Sequence, residues 1–443
     1  MIPTSKAALL LFALGLLVTA GCGPVSPASL TPTPDAAQGS QPADASVAIS
    51  DRPRDLNPAA GPEDLASLAE GNAAFAFDLY HVLAADEGNL FFSPYSLSVA
   101  LAMTYAGAAG DTADQMARML HFTLTQGRLH AAFNAYSLDL QTRAEAVTEG
   151  TPFELSIANA LWGQQGFTFL PEFLDRLAGN YGAGMRLVDY AADPEAARQA
   201  INQWVSDETR ERIQDLIPSG AIDALTRLVL ANAIYFKAAW QHPFDPDATA
   251  PAPFHRLDGT SVDVAMMHQD EAYGYTLREG YRALELPYES GNVSMLILLP
   301  DEGQFQAIEQ ALGPAIIEEI LGDLTYGPVI VSLPKFTYES SFSLNDALQV
   351  LGMTDAFEAD RADFSGMDGN RDLYIGSVLH KAFVSVDENG TEAAAATAVI
   401  MELTSAPILE PIEFTVDRPF IYLIRDVQTG SILFIGRVAA PEG

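Results

Sequence analysis

The side chains best suited to catalysis or metal binding are few and scattered in this chain. Seven histidines stand at His81, His121, His130, His242, His255, His268 and His380. No two have the HExxH spacing that turns both rings of one helix toward a zinc ion, and the only cysteine, Cys22, lies far from them in sequence. No GxSxG turn presents a serine nucleophile, and no glycine-rich loop is placed to cradle phosphate. A protein that is not an enzyme, with no metal and no cofactor, is the expectation.

A different kind of chemistry sits near the C-terminus. Residues 388–399 read ENGTEAAAATAV. Laid out as a β-strand, side chains alternate between two faces. One face receives Thr391, Ala393, Ala395, Thr397, Val399, Met401 and Leu403 and carries no charge. The other receives Glu392, Ala394, Ala396, Ala398, Ile400, Glu402 and Thr404. One uncharged face suits a sheet lying over a core, and small leading residues let a segment slide between two existing strands. The alanines equally favour a surface helix from Thr391, whereas the β-branched Thr397, Val399 and Ile400 favour a strand. The pattern alone leaves both open.

The surrounding periodicity describes the elements that hold this stretch. Residues 62–85 place Leu65, Leu68, Asn72, Phe75, Leu79 and Val82 at helical spacing, and further helices are predicted at 95–106, 111–120, 126–146, 171–181 and 195–214. Apolar runs LTRLVLANAIYFKAAW and NVSMLILLP read as strands, and EFTVDRPFIYLIRD and SILFIGRV as a hairpin turning at Val427-Gln428-Thr429-Gly430. Helices come first and strands later, without regular alternation. The fold class is therefore α+β with large antiparallel sheets.

The 443 residues suffice for one large domain or two medium ones, and 49% hydrophobic content supplies a core. Against 58 acidic residues there are 23 basic ones, a net charge of −35. Such a chain is repelled by nucleic acid and by anionic lipid surfaces. The N-terminus resembles a bacterial lipoprotein signal: Lys6, an apolar run from Ala7 to Val18, then Thr19-Ala20-Gly21-Cys22. That resemblance implies a signal over 1–21, a lipid on Cys22, and an extracytoplasmic protein anchored to the bacterial cell envelope. An ordinary cleaved signal, giving a secreted protein, is the alternative. Residues 23–61 are rich in Pro, Ser and Ala and lack aromatics, which predicts a disordered tether after the lipidated cysteine. The folded domain is expected over 62–443. With no cysteine inside it, stability must come from packing.

Six segments, in order, resemble the serpins, the serine protease inhibitor superfamily. VDENGTEAAAATA is similar to the hinge of the family's reactive loop. FTVDRPFIYLI, with Asp417, Arg418, Pro419 and Phe420, resembles its C-terminal signature. NLFFSPYSLSVALAMTYAGAAGDTADQM is similar to its buried helix and the turn that follows, ANAIYFKAAWQHPFD to the strand under the loop's entry point, and LPKFTYE and LHKAFVSVDE also fit. The resemblance covers about residues 62–441. It implies three β-sheets with eight to nine helices and an exposed reactive-centre loop. In that family a serine protease cuts the loop, the cut loop inserts into the largest sheet, and the acyl-enzyme is trapped. Counting from the hinge glutamate, Glu388, the implied bond is Thr404–Ser405, with Leu403–Thr404 as the alternative. Thr or Leu suits elastase-, chymotrypsin- or subtilisin-like enzymes better than trypsin-like ones, since no Lys or Arg lies between Glu388 and Glu413. The implied hinge is Glu388, Gly390, Thr391, Glu392, Ala393, Ala394, Ala395, Ala396 and Thr397. Lys335 and Glu388 match a salt bridge beside it. Ser93, Ser96, Asn232 and His380 match a buried polar cluster, and Trp240 a tryptophan under the sheet's upper end. Only Arg128 and Arg143 are basic in the segment matching heparin-binding helices, so no heparin activation is expected. A monomer is expected. A non-inhibitory binding member and an inhibitor of cysteine proteases are the rival readings.

Overall fold

Local signals start the helices where the sequence places them. Pro62 opens the first helix and the Gly61 N–H donates to the Asp64 carboxylate three residues on, closing the first turn. The computed structural model describes residues 45–145, 153–392 and 410–441. Among them the helices are α1 (Pro62–Leu83), α2 (Pro94–Tyr105), α3 (Gly110–Met119), α4 (Gln126–Glu145), α5 (Pro171–Tyr181), α6 (Pro194–Glu208), α7 (Phe305–Ala311), α8 (Pro314–Gly322), α9 (Asn345–Val350) and α10 (Ser365–Asp368). The strands are β1 (Ser46–Ala48), β2 (Leu90–Phe92), β3 (Glu154–Gln164), β4 (Met185–Val188), β5 (Leu228–Ala239), β6 (Ala250–His255), β7 (Ser261–Arg278), β8 (Tyr281–Pro287), β9 (Val293–Pro300), β10 (Thr325–Pro334), β11 (Phe336–Ser343), β12 (Ile375–Asp387), β13 (Gly390–Thr391), β14 (Ile412–Thr415), β15 (Phe420–Asp426) and β16 (Ile432–Val438).

One sheet of seven strands has the order β1-β4-β3-β5-β13-β12-β11. A second runs β14-β10-β7-β8-β9-β15-β16-β2, with β6 beside β7. The three expected sheets thus form two hydrogen-bonded ladders, because the 18-residue β7 belongs both to the β6/β10/β14 layer and to the β8–β9–β15–β16 layer. α2 is buried almost all round and lies between the sheets, which is why its sequence shows no polar stripe. Along β5 the faces alternate. Ile234, Phe236 and Ala238 join the core between the sheets, whereas Val229, Ala231 and Ala233 pack with Ala197, Ile201 and Val205 of α6 on the outer face.

Two expectations need correction here. The disordered tether does not extend to residue 61. Ser46–Ala48 pairs antiparallel with β4, the Arg54 Nε donates to Asn134 Oδ1 at 2.8 Å, and the Asp55 N–H donates to the Gly179 carbonyl. Composition gave no hint, because three backbone-paired residues and one arginine need little apolar surface. The helix predicted to 214 stops at Glu208. Arg210 and Glu211 both have positive φ, and the Thr209 hydroxyl accepts the Ile213 N–H, so the chain leaves the helix as a strap across the sheet. Cys22, residues 1–44 and the implied cleavage site lie outside the described residues.

Candidate functional site at the mouth of the seven-stranded sheet

Most of the hinge's charged and polar anchors come from three strand ends. Lys335, between β10 and β11, donates to Glu388 at 2.8 Å, and the Thr249 hydroxyl donates to the other carboxylate oxygen at 2.8 Å. Burial opposes ionisation of Glu388, but these partners outweigh it and hold the carboxyl below its ordinary value. Backbone bonds from Trp240 to Asn389 and from Phe244 to Glu388 fix the turn. The Trp240 indole is buried, donates to the Asp387 carbonyl at 3.0 Å, and stacks on Tyr288 with centroids 4.6 Å apart.

From this turn the chain enters the sheet. Gly390 pairs with Asp387 on β12 and Ala239 on β5; Thr391 pairs with Val386 and Ala238. Two residues of a new central strand are therefore already in place. Gly390 has φ +150, and a Cβ there would lie 2.1 Å from the Ala238 carbonyl oxygen. Close backbone approach is what requires glycine here. Thr391 is 1% exposed and its hydroxyl meets the Tyr288 hydroxyl at 2.7 Å. Its side chain faces the interior, as the uncharged face of the strand pattern requires. Glu392 adds one more ladder bond, its N–H donating to Ser385, before leaving the sheet at φ +48. Below this point β5 and β12 pair directly and in parallel, from Leu228 opposite Ile375 to Tyr235 opposite Phe383. Ala393, Ala394, Ala395, Ala396, Thr397, Leu403, Thr404 and Ser405 lie outside the described residues.

The buried polar cluster lies beneath that seam. The Ser93 hydroxyl caps α2 by accepting the Ser96 N–H at 3.1 Å and donates to the Leu433 carbonyl. The Asn232 amide donates to the Ser96 hydroxyl at 2.7 Å, and its carbonyl oxygen faces His380 Nδ1. With Nδ1 donating there, Nε2 is left to accept the Ser93 N–H at 3.2 Å. Asn159 on β3 completes the group, in contact with Ser96 and Asn232. It was missed in the sequence; the available signal was a single amide in the apolar strand ELSIANALWGQ. Pro419 and Phe420 are buried at the start of β15, where Phe420 packs edge-on to Phe336.

Burial pushes His380 down to about 3, and burial with the nearby Arg176 does the same to His130. Folding therefore keeps both rings neutral, while the unfolded chain takes up protons near pH 6.5. Their contribution to stability is complete above that value and is lost as pH falls from there toward 3. Each histidine should contribute a slope approaching ~1.4 kcal/mol per pH unit. Urea unfolding followed from pH 7 to pH 5 should show this loss, and His380→Gln should remove about half of it.

Among the described residues no group of three or more His, Cys, Asp and Glu side chains is arranged to hold a metal ion, and no helix is long and apolar enough to cross a membrane. What the arrangement offers is mechanical: a started strand at the top of a seam between two parallel strands. Residues 70–441 match the family described as serpin (serine protease inhibitor). The chain belongs to the serpin family. An uncharacterized serpin-like protein of Thermococcus kodakarensis is 43% identical over 371 residues, covering 83% of this chain and 84% of that one. The leukocyte elastase inhibitor of Homo sapiens is 41% identical over 389 residues, covering 84% of this chain and 99% of its own. Among solved structures, the thermophilic serpin tengpin in its native state superposes with TM-score 0.74 at 30% identity, covering 84% of this serpin and 94% of tengpin. Maspin superposes with TM-score 0.78 at 26% identity, covering 86% of this serpin and all of maspin.

Proposed function

We propose that this serpin inhibits serine proteases as a single-use substrate. The observation that carries the reading is the strand Gly390–Thr391, seated between β5 and β12 at the head of their seam. Continuing that register six residues brings Thr397 level with His380 on β12 and Asn232 on β5, two residues already opposite one another. An inserted loop would thus extend both ladders without a register shift. Protease attack on the loop gives an acyl-enzyme, and its hydrolysis needs an intact oxyanion hole and a positioned water. Insertion of the cut strand carries the bound protease along the sheet and distorts that machinery before water acts. This serpin is consumed in the process and is not a catalyst.

The bond proposed is Thr404–Ser405, or Leu403–Thr404, and the target class is elastase-, chymotrypsin- or subtilisin-like. The 41% identity to a leukocyte elastase inhibitor supports that preference. Incubation with each enzyme should give an SDS-stable complex whose mass fixes the bond. Clean cleavage near residue 404 without a complex would instead support a non-inhibitory binding role, and complexes only with cysteine proteases would reassign the class. Arg128 and Arg143 on α4 are ion-paired with Asp64 and with Asp139 and Asp426, so heparin is not proposed as a cofactor. A lipid on Cys22, holding the protein at the bacterial envelope, is also proposed; an unmodified N-terminal cysteine peptide by mass spectrometry would refute it.

A further inference from the structure

The end of the seven-stranded sheet away from the hinge carries a separate set of polar groups. Ile375 opens β12 opposite Leu228, whereas the hinge sits against Ala238 and Ala239, at the other end of β5. Just before Ile375 the chain reads Asp368-Gly369-Asn370-Arg371-Asp372. The turn closes at the end of α10, where Asp368 Oδ1 accepts the Asn370 N–H at 2.8 Å. Asp368, Asn370 and Asp372 line a pocket of about 520 Å³ whose other wall is the loop 166–171, between β3 and α5. The Leu170 N–H donates to the Met367 carbonyl at 2.7 Å and joins the two walls. Asp368 is only 9% exposed, and its Oδ2 is buried with no donor to accept from. The Asp372 carboxylate stands beside it. Two adjacent carboxylates repel, and a buried oxygen without a partner adds to the cost, so the pair calls for a proton or a cation between them. Among the described residues no Lys, Arg or His lines the pocket. Arg371, within the turn, pairs with Asp363 at 3.3 Å instead.

We propose that Asp368, Asn370 and Asp372, with main-chain carbonyls of the facing loop, form a calcium site that fastens the start of β12 to the β3–α5 connection. The donors are carboxylate, amide and peptide oxygens, with neither sulfur nor imidazole, which is the chemistry of a hard cation rather than of zinc or copper. An open, uneven set of oxygens suits Ca²⁺, whereas Mg²⁺ demands a near-ideal octahedron. The alternate spacing matches the first three ligand positions of a twelve-residue calcium loop. Leu373 stands where such a loop has its glycine and Leu379 where it has its bidentate glutamate. With fewer charged ligands, the affinity belongs at the weak end, about 10⁻⁴–10⁻³ M, the range of extracellular modules. The expectation of a chain without metal came from histidine and cysteine spacing, to which a site built from oxygens alone is invisible. The site is remote from the hinge and does not depend on the inhibitory reading.

The test uses the intact full-length chain in about 0.15 M KCl, which screens the diffuse attraction of cations to a net charge of −35. Calorimetric titration with CaCl₂ should show one saturable site with a Kd of about 10⁻⁴–10⁻³ M, and MgCl₂ should bind roughly tenfold or more weakly. Asp368→Asn keeps the oxygen that accepts the Asn370 N–H, and Asp372 is exposed, so neither Asp368→Asn nor Asp372→Asn threatens folding. Each should weaken Ca²⁺ binding at least about tenfold, by removing one ligand charge. Hydrogen exchange at saturating Ca²⁺ should slow in peptides covering 166–170 and 368–374, because the bound ion opposes local opening there. Absence of saturable binding, an equal response to Mg²⁺, binding that survives both substitutions, or protection elsewhere but not in these peptides would each overturn the site.

Discussion

Cutting this serpin between residues 393 and 409 should raise its apparent melting temperature by about 10 °C or more. The uncut segment is tied at both ends. Thr391 is held in the seven-stranded sheet, and Ile412 begins β14, which pairs with Val329 of β10 in the other sheet. A chain so tethered cannot lie along the seam and also reach β14. A single cut removes that constraint. On the continued register the freed strand would gain hydrogen bonds on both edges, with Val399, Met401 and Leu403 on the same face as Thr391. At about 0.5–1.5 kcal/mol per net hydrogen bond, the gain is on the order of 10 kcal/mol after the parallel β5–β12 bonds are lost. An unfolding entropy near 2.1 cal/mol/K per residue makes each kcal/mol worth about 1 °C in a chain this long. Calorimetry of intact and nicked protein at one scan rate measures the shift, the fixed rate being necessary because such unfolding is kinetically controlled. Identical midpoints would show that no driving force is stored.

The second large effect is expected from Thr391→Arg. The Thr391 side chain is buried against Tyr288, which stacks on Trp240. No carboxylate is among these neighbours. An arginine there either buries an unpaired charge, at roughly 3–5 kcal/mol, or withdraws the two-residue strand from the sheet. The intact fold survives by withdrawal, so the variant should still be cut by the target protease. In the proposed mechanism insertion starts from this residue, and a barrier raised by about 3 kcal/mol slows it ~100-fold. Hydrolysis of the acyl-enzyme then overtakes trapping, and SDS-stable complex should give way to cleaved product. Thr391→Val, which loses the hydroxyl contact but keeps the volume, should retain most of the complex. Complex formation by the arginine variant at the wild-type level would refute the insertion mechanism.

Much of this site was legible because its residue types have few other uses. The alternation from Thr391 to Thr404 assigned an interior and an exterior face, and Thr391 and Glu392 lie on the faces so assigned. In the structure Lys335 pairs with Glu388, and Ser93, Ser96, Asn232 and His380 form one hydrogen-bonded group. Asn159 escaped notice because an amide in a strand becomes informative only when its cross-strand neighbour is known to be Asn232. The order in residues 45–61 escaped because it depends on an edge offered by β4 and on the Asn134 amide, both distant in sequence.

Local chemistry, then, indicated many of the helices and strands and which face of the 391–404 pattern carries no charge, since these depend on residues a few positions apart. Tertiary structure alone decided that the hinge already occupies two positions of the sheet and that the segment after α6 lies across its path. Both facts are pairings between chain segments more than 150 residues apart, set by strand register and by ion pairs that form only once the sheet exists.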